Sequence, residues 1–134
     1  MSNWRPVFQT KFRTNNPDGT AATRGNCMAA CLASLLGKEL SEVPAFEENF
    51  AGDWEGDLVN WLDSLGLELL TTWDQPSDED ERYFKITGRS PRGNWYHSCI
   101  WHRGQIVHDP YPDGGGAENI LYWQYLAHNE GEGV

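Results

Sequence analysis

Apolar positions along the chain follow different rhythms in different places. From Cys27 to Leu36 the run CMAACLASLL is apolar or small on every side, with Ser34 its one strong hydrogen-bonding group and Gly37 behind it. A surface helix keeps a polar face, so a helix that is apolar all round belongs in an interior. The run predicts a buried helix, with Asn26 as its cap. Further on, Trp54, Leu58, Trp61, Leu62 and Leu65 fall at i, i+4, i+7, i+8 and i+11, while Asp53, Asp57, Asn60 and Asp63 lie elsewhere. That is an amphipathic packing helix with an acidic outer face, stopped by Gly66. Between the two, LSEVPAF (40–46) suggests a short helical turn capped by Ser41 and ended near Pro44.

Strand-like runs account for most of the rest. They are PVFQTKF (6–12), LELLTTW (67–73), RYFKITG (82–88), two strands about a tight turn within 90–116, and ENILYWQYLA (118–127). A turn-rich segment, RTNNPDGTAATRG (13–25), precedes the buried helix, and long loops of this kind are more often functional than idle. The acidic DQPSDEDE (74–81) reads as a solvated loop. Helices first, then strands in hairpin-like succession, predict a single α+β domain over 1–134 with a central buried N-terminal helix packed on an antiparallel sheet.

Composition narrows the function. The 134 residues carry a net charge of −10, which disfavours nucleic acid and anionic membranes, because phosphate contacts need a basic surface. No stretch is long and apolar enough to predict a secretory leader or a membrane span. Three cysteines in such a chain predict a reducing, cytoplasmic location and no disulfide framework. The expectation is a cytoplasmic protein with no nucleic-acid or membrane partner.

The candidate chemistry begins with Cys27. A thiol in the first turn of a helix sits beside unpaired backbone N–H groups and the positive end of the helix dipole, and both favour thiolate. The same N–H groups can face an oxyanion beside the sulfur. A thiol nucleophile needs a base, and the base needs an orienting group. If the hairpin turn is His102-Arg103-Gly104, a three-residue loop closed by glycine, then residue 101 faces 105, 99 faces 107 and 97 faces 109. His97 and Asp109 would then be direct cross-strand partners on one face, with His108 on the other.

The stretches GNCMAACLASLLG, VP with a nearby Phe, HSCIW and VHDP together resemble papain-like cysteine peptidases. The resemblance runs from Gln9 to Pro112, and it is closest to the short bacterial and phage cysteine-peptidase-like proteins. It extends more distantly to the peptidases that cut double-glycine leaders. It implies a papain-like fold and a thiol hydrolase working through an acyl-enzyme, with Cys27 as nucleophile, His97 as base and Asp109 as orienter. Peptide, isopeptide or small amide substrates are implied, with no cofactor and no metal. That family commonly carries an oxyanion-donating Gln about six residues before the cysteine, where this chain has Ala21. Gln9, the only glutamine upstream of Cys27, is the substitute, or backbone N–H groups serve alone.

The remaining polar and aromatic residues have plainer readings. Cys31 and Cys99 fit core positions and His102 a solvated turn. Arg92 is either a surface turn residue or a ligand for a substrate carboxylate, and Trp95 and Tyr96 are either core or a wall of a substrate cleft. Two other classes stay open. Cys27, Cys31, His97 and Cys99 form a nominal zinc set, although C-x3-C within a regular helix departs from the usual knuckle. A papain-like binding or inhibitor protein without turnover is the other.

Overall fold

In the computed structural model, which describes residues 4–49 and 52–129, the apolar run forms helix α1 (Cys27–Leu36). Residues Ala29 to Ser34 are all buried along it. Gly37 ends the helix at φ 67°, with its N–H turned back to the carbonyls of Ala33 and Ser34. Only a left-handed residue makes that reversal, and glycine does so without steric cost.

At the other end Asn26 holds the N-cap position, as expected, but its side chain does not cap α1. Its Oδ1 accepts from the backbone N–H groups of Thr10 and Lys11 at 3.0 and 2.9 Å, and its Nδ2 donates to Thr10 Oγ1 at 3.1 Å. The segment expected as a strand over 6–12 is therefore an extended strap. Asn26 clips it at one point, and Ser34 Oγ accepts the Val7 N–H at 3.0 Å at another. Helix side chains satisfy the backbone groups that a sheet neighbour would have taken. The turn-rich loop that follows folds into a small ribbon of β1 (Thr14–Asn15) and β2 (Ala21–Thr23).

Helix α2 (Trp54–Ser64) forms as its spacing requires, with Asp53 Oδ1 accepting the Gly56 N–H at 3.0 Å as an N-cap. Leu58 and Leu62 are its buried positions. A 3-10 turn at Leu40–Glu42 is capped by Glu39, in a reciprocal pair with Glu42, and not by Ser41.

Five strands, β3 (Leu67–Thr72), β4 (Phe84–Arg89), β5 (Tyr96–His102), β6 (Gln105–His108) and β7 (Glu118–His128), make an antiparallel sheet in the order β3-β7-β4-β5-β6. The class is α+β, and β4, β5 and β6 follow one another as hairpins, but β3 is not next to β4. The acidic loop carries the chain away after β3 and leaves a slot, which the closing strand β7 fills.

The pairing gives the two faces different burdens. Ile86 lies opposite both Cys99 and Trp123, and Phe84 opposite Trp101; with Ile106, Ala117 and Ile120 they form one core. On the other face Leu69 lies opposite Leu126, and both pack under Ala29, Leu32, Leu58 and Leu62 of the two helices. Side chains alternate along a strand, so Gln124, Lys85 and Thr87 share the helix-covered face with Leu126. No helix among the described residues is long and apolar enough to cross a membrane.

Candidate active site

The hairpin that carries the candidate base differs in detail from its expected form. His102 faces Gln105, so the turn has two residues, Arg103 at φ 49° and Gly104 at φ 88°. Such a turn matches the twist of the strands but places a non-glycine residue in the left-handed region. Trp101 then faces Ile106 while Ile100 faces His108, which leaves Val107 as an extra residue, a β-bulge. Without the bulge, Asp109 would point away from His97. With it, the alternation past His108 puts position 109 across from 99, on the face of both Cys99 and His97. The expected direct pairing of 97 with 109 is replaced by a diagonal one.

The result is a short hydrogen bond, 2.6 Å between His97 Nε2 and Asp109 Oδ1, with both side chains 3% exposed. Asp109 has two further donors: the Tyr111 N–H reaches Oδ1 at 2.9 Å and the Gly116 N–H reaches Oδ2 at 2.7 Å. Burial raises the Asp109 pKa, but the bond from His97 and the two backbone donors outweigh it, and the carboxyl is held below its ordinary range. For His97, burial disfavours the imidazolium. Asp109 first, then Cys27 and Cys99, reverse this and push the imidazole up to about 11.

Cys27 opens α1 half-buried, with no side chain capping the helix and no acidic residue in the first turn. The first-turn N–H groups are thus left to the site. Burial pushes the thiol pKa up. The hydrogen bond and charge of His97, the Ser98 N–H and the charge of Lys85 more than compensate, and the thiol lies below its ordinary value. All three shifts favour one state, thiolate, imidazolium and carboxylate in line. Cys31 and Cys99 are both 0% exposed, and burial raises both thiols.

Cys27 and His97 line a cleft of about 1010 Å³ that also takes in Gln9, Arg92, Trp95 and Tyr111. Gln9 is brought there by the strap, its N–H bonded to the Pro110 carbonyl at 3.0 Å. One N–H of its carboxamide is committed to the Lys11 carbonyl at 2.9 Å, and its Oε1 is buried without a hydrogen-bond partner. Ala21 sits in β2. Arg92 lies over the Tyr111 ring at 3.5 Å and pairs with Asp113 at 3.2 Å. Trp95 carries the Arg13 guanidinium 4.7 Å from its ring centre.

His108 and His102 are occupied elsewhere. His108 Nε2 donates to the Val7 carbonyl at 2.7 Å and clamps the strap, and His102 stacks on Tyr83 with ring centres 3.9 Å apart. The nominal zinc set does not converge as a group. Among the described residues, the donor atoms that come within 4.8 Å of one another belong to His97, Cys99 and Asp109.

Sequence reasoning missed three parts of the site. The bulge at Val107 has no residue signature. The backbone donors to Asp109 come from the PYPDGGG loop, where Gly116 at φ 77° lets the chain fold back; the glycine run is the visible sign. Lys85 stands inside the apolar run YFKIT, where alternation gave no reason to expect it under two helices. No family model, curated protein or solved structure matches the chain.

Proposed function

We propose that the protein is a thiol hydrolase or acyl-transfer enzyme of the papain-like type, cleaving or exchanging an amide bond of a peptide, isopeptide or small amide substrate. The observation that carries this reading is the line from Cys27 through His97 to Asp109, with each pKa moved toward the charged form needed for attack. The reading also draws on the papain-like resemblance of the sequence and on a buried helix that opens with the nucleophile. The three cysteines are free of disulfides, which fits a reducing, cytoplasmic setting.

In this mechanism the Cys27 thiolate attacks the substrate carbonyl, and a C–S bond forms as the carbonyl π pair moves to oxygen. Backbone N–H groups at the open end of α1 stabilise that oxyanion. The His97 imidazolium gives its proton to the leaving amine as the C–N bond breaks, leaving an acyl-enzyme. Neutral His97 then takes a proton from water, or from an acceptor amine, which attacks the thioester and releases the acyl group. Asp109 holds Nε2 throughout and so keeps Nδ1 toward the sulfur. Its backbone donors hold the carboxylate in turn.

The test is reaction with a panel of peptide, isopeptide and amide probes bearing a thiol-trapping carbonyl, followed by mass mapping. Label confined to Cys27, and lost in both Cys27→Ala and His97→Ala proteins, is the expected result. A folded protein that no probe labels at Cys27 would overturn the reading.

A further inference from the structure

The cleft floor holds a charge that takes part in none of the bond-making or proton-transfer steps. Lys85, on β4, is 4% exposed and lines the same cleft as Cys27 and His97. Its Nζ donates to Thr87 Oγ1 at 3.0 Å and to Gln124 Oε1 at 3.2 Å. Both partners are neutral, and among the described residues no carboxylate pairs with it. A buried ammonium is costly unless an anion offsets it, and a neutral side chain of the same length would serve packing better. An ammonium has three protons, so one remains uncommitted.

The surroundings are built to hold this group. Gln124 Nε2 donates to Thr71 Oγ1 at 3.1 Å, which turns its Oε1 toward Lys85. The cleft's other charged groups are differently disposed. Glu47 is tied to Lys11 at 2.9 Å, Arg92 is tied to Asp113, Arg13 lies over the Trp95 ring, Glu68 is half-buried on β3, and Arg24, Glu55 and Asp63 are exposed. Lys85 is the deep cation, and its charge reaches the Cys27 thiol.

We propose that Lys85, supported by Thr87 and Gln124, is a carboxylate-recognition subsite, so that the substrate attacked at Cys27 carries a free carboxylate. This rests on the thiol reading above and adds a substrate class to it. A carboxylate entering the cleft takes the third Nζ proton and supplies the missing counter-charge. It exchanges solvation for a charge-assisted hydrogen bond in a site already ordered to receive it. A neutral substrate of the same shape leaves the ammonium unpaired and binds less well.

The test uses N-bromoacetyl derivatives of glycine, β-alanine and 4-aminobutyrate, each paired with its carboxamide. The Cys27 thiolate displaces bromide in every case, so the acid-to-amide rate ratio cancels differences in thiol reactivity and reports carboxylate binding. At the spacer that fits, the ratio in wild-type protein is expected to reach about tenfold or more. It should fall to near one in Lys85→Met and persist, at an altered spacer length, in Lys85→Arg. Ratios near one at every spacer, with Cys27 still labelled by iodoacetamide, overturn the subsite and leave the thiol reading standing. A preference undiminished in folded Lys85→Met also overturns it. A Cys27 that no reagent labels removes the thiol reading, and the subsite falls with it.

Discussion

His97 and Asp109 are joined by a 2.6 Å hydrogen bond without being cross-strand partners, because a single extra residue between them resets the strand's alternation. The two-residue turn at Arg103-Gly104 sets a register in which position 109 faces the wrong way. Val107 bulges out of the ladder, and every later side chain changes face.

Deleting Val107 tests that relationship. It removes the extra residue itself, so Ile106 stays opposite Trp101, His108 stays opposite Ile100, and Asp109 keeps the face of Cys99 and His97. The His97 imidazole, raised to about 11 in the intact protein, should therefore stay raised. Side-chain NMR titration of His97 in the deletion variant reads this directly. A fall back toward the ordinary 6.5 would show that the shape of the bulge, and not the face it gives Asp109, holds the pair together.

The turn itself makes a second prediction. Arg103 at φ 49° pays for the left-handed conformation with about 1 kcal/mol that asparagine largely avoids. Arg103→Asn should therefore stabilise the protein by roughly 0.5–1 kcal/mol in urea unfolding, with Cys27 reactivity unchanged. The side chain's own contact is a 3.9 Å ion pair with Glu81 in which both partners are exposed, so little is lost. Destabilisation would mean that the arginine contributes more than its geometry suggests.

How far the sequence could be read depends on the scale of the signal. The 3.6-residue spacing of Trp54, Leu58 and Leu62 and the all-round apolar run of α1 are strong local patterns, and both became helices. The run at 6–12 reads as a short strand, but Asn26 and Ser34 bind its backbone first, an outcome set by long-range partners. The position of β7 between β3 and β4 likewise depends on pairing over distant sequence. For the site, residue types and order were visible, whereas the bulge that makes His97 and Asp109 meet was not. Two errors, a turn one residue too long and a missing bulge, cancelled in parity and placed Asp109 on the correct face.

Asp109 substitutions separate charge from shape. Asp109→Ala leaves the Tyr111 and Gly116 N–H groups and the imidazole without their acceptor. Breaking a buried charged pair costs about 3–5 kcal/mol, and that is the loss expected in chemical denaturation. Asp109→Asn keeps an acceptor oxygen and should lose less. The sign with pH follows from the two shifts. The depressed carboxyl contributes stability above about 3.9 that is lost as pH falls, and the raised imidazole contributes stability below 6.5 that is lost as pH climbs toward about 11. The stability gap between wild type and Asp109→Asn should be widest between those two values and narrow on either side. A gap independent of pH would show that the pair is not ionised.

The three thiols should differ in reactivity for reasons the structure makes explicit. Cys27 is lowered by the hydrogen bond and charge of His97 and by the Ser98 N–H against the opposing effect of burial, and it opens on the cleft. Burial raises Cys31 and Cys99, and neither has exposed surface. At pH 6, well below the roughly 8.5 of a free thiol, substoichiometric iodoacetamide should label Cys27 almost alone in the folded protein and all three after denaturation. His97→Ala removes the main opposing influence and leaves burial, so the Cys27 pKa rises and the pH 6 rate should drop by about tenfold or more, one pKa unit being tenfold in thiolate. The rate should recover as pH is raised, which distinguishes a lost imidazolium from a blocked cleft. Equal labelling of the three thiols in folded protein, or a Cys27 rate indifferent to His97 across the pH range, would show that the imidazolium does not activate the thiol, and the acyl-enzyme mechanism would fail with it.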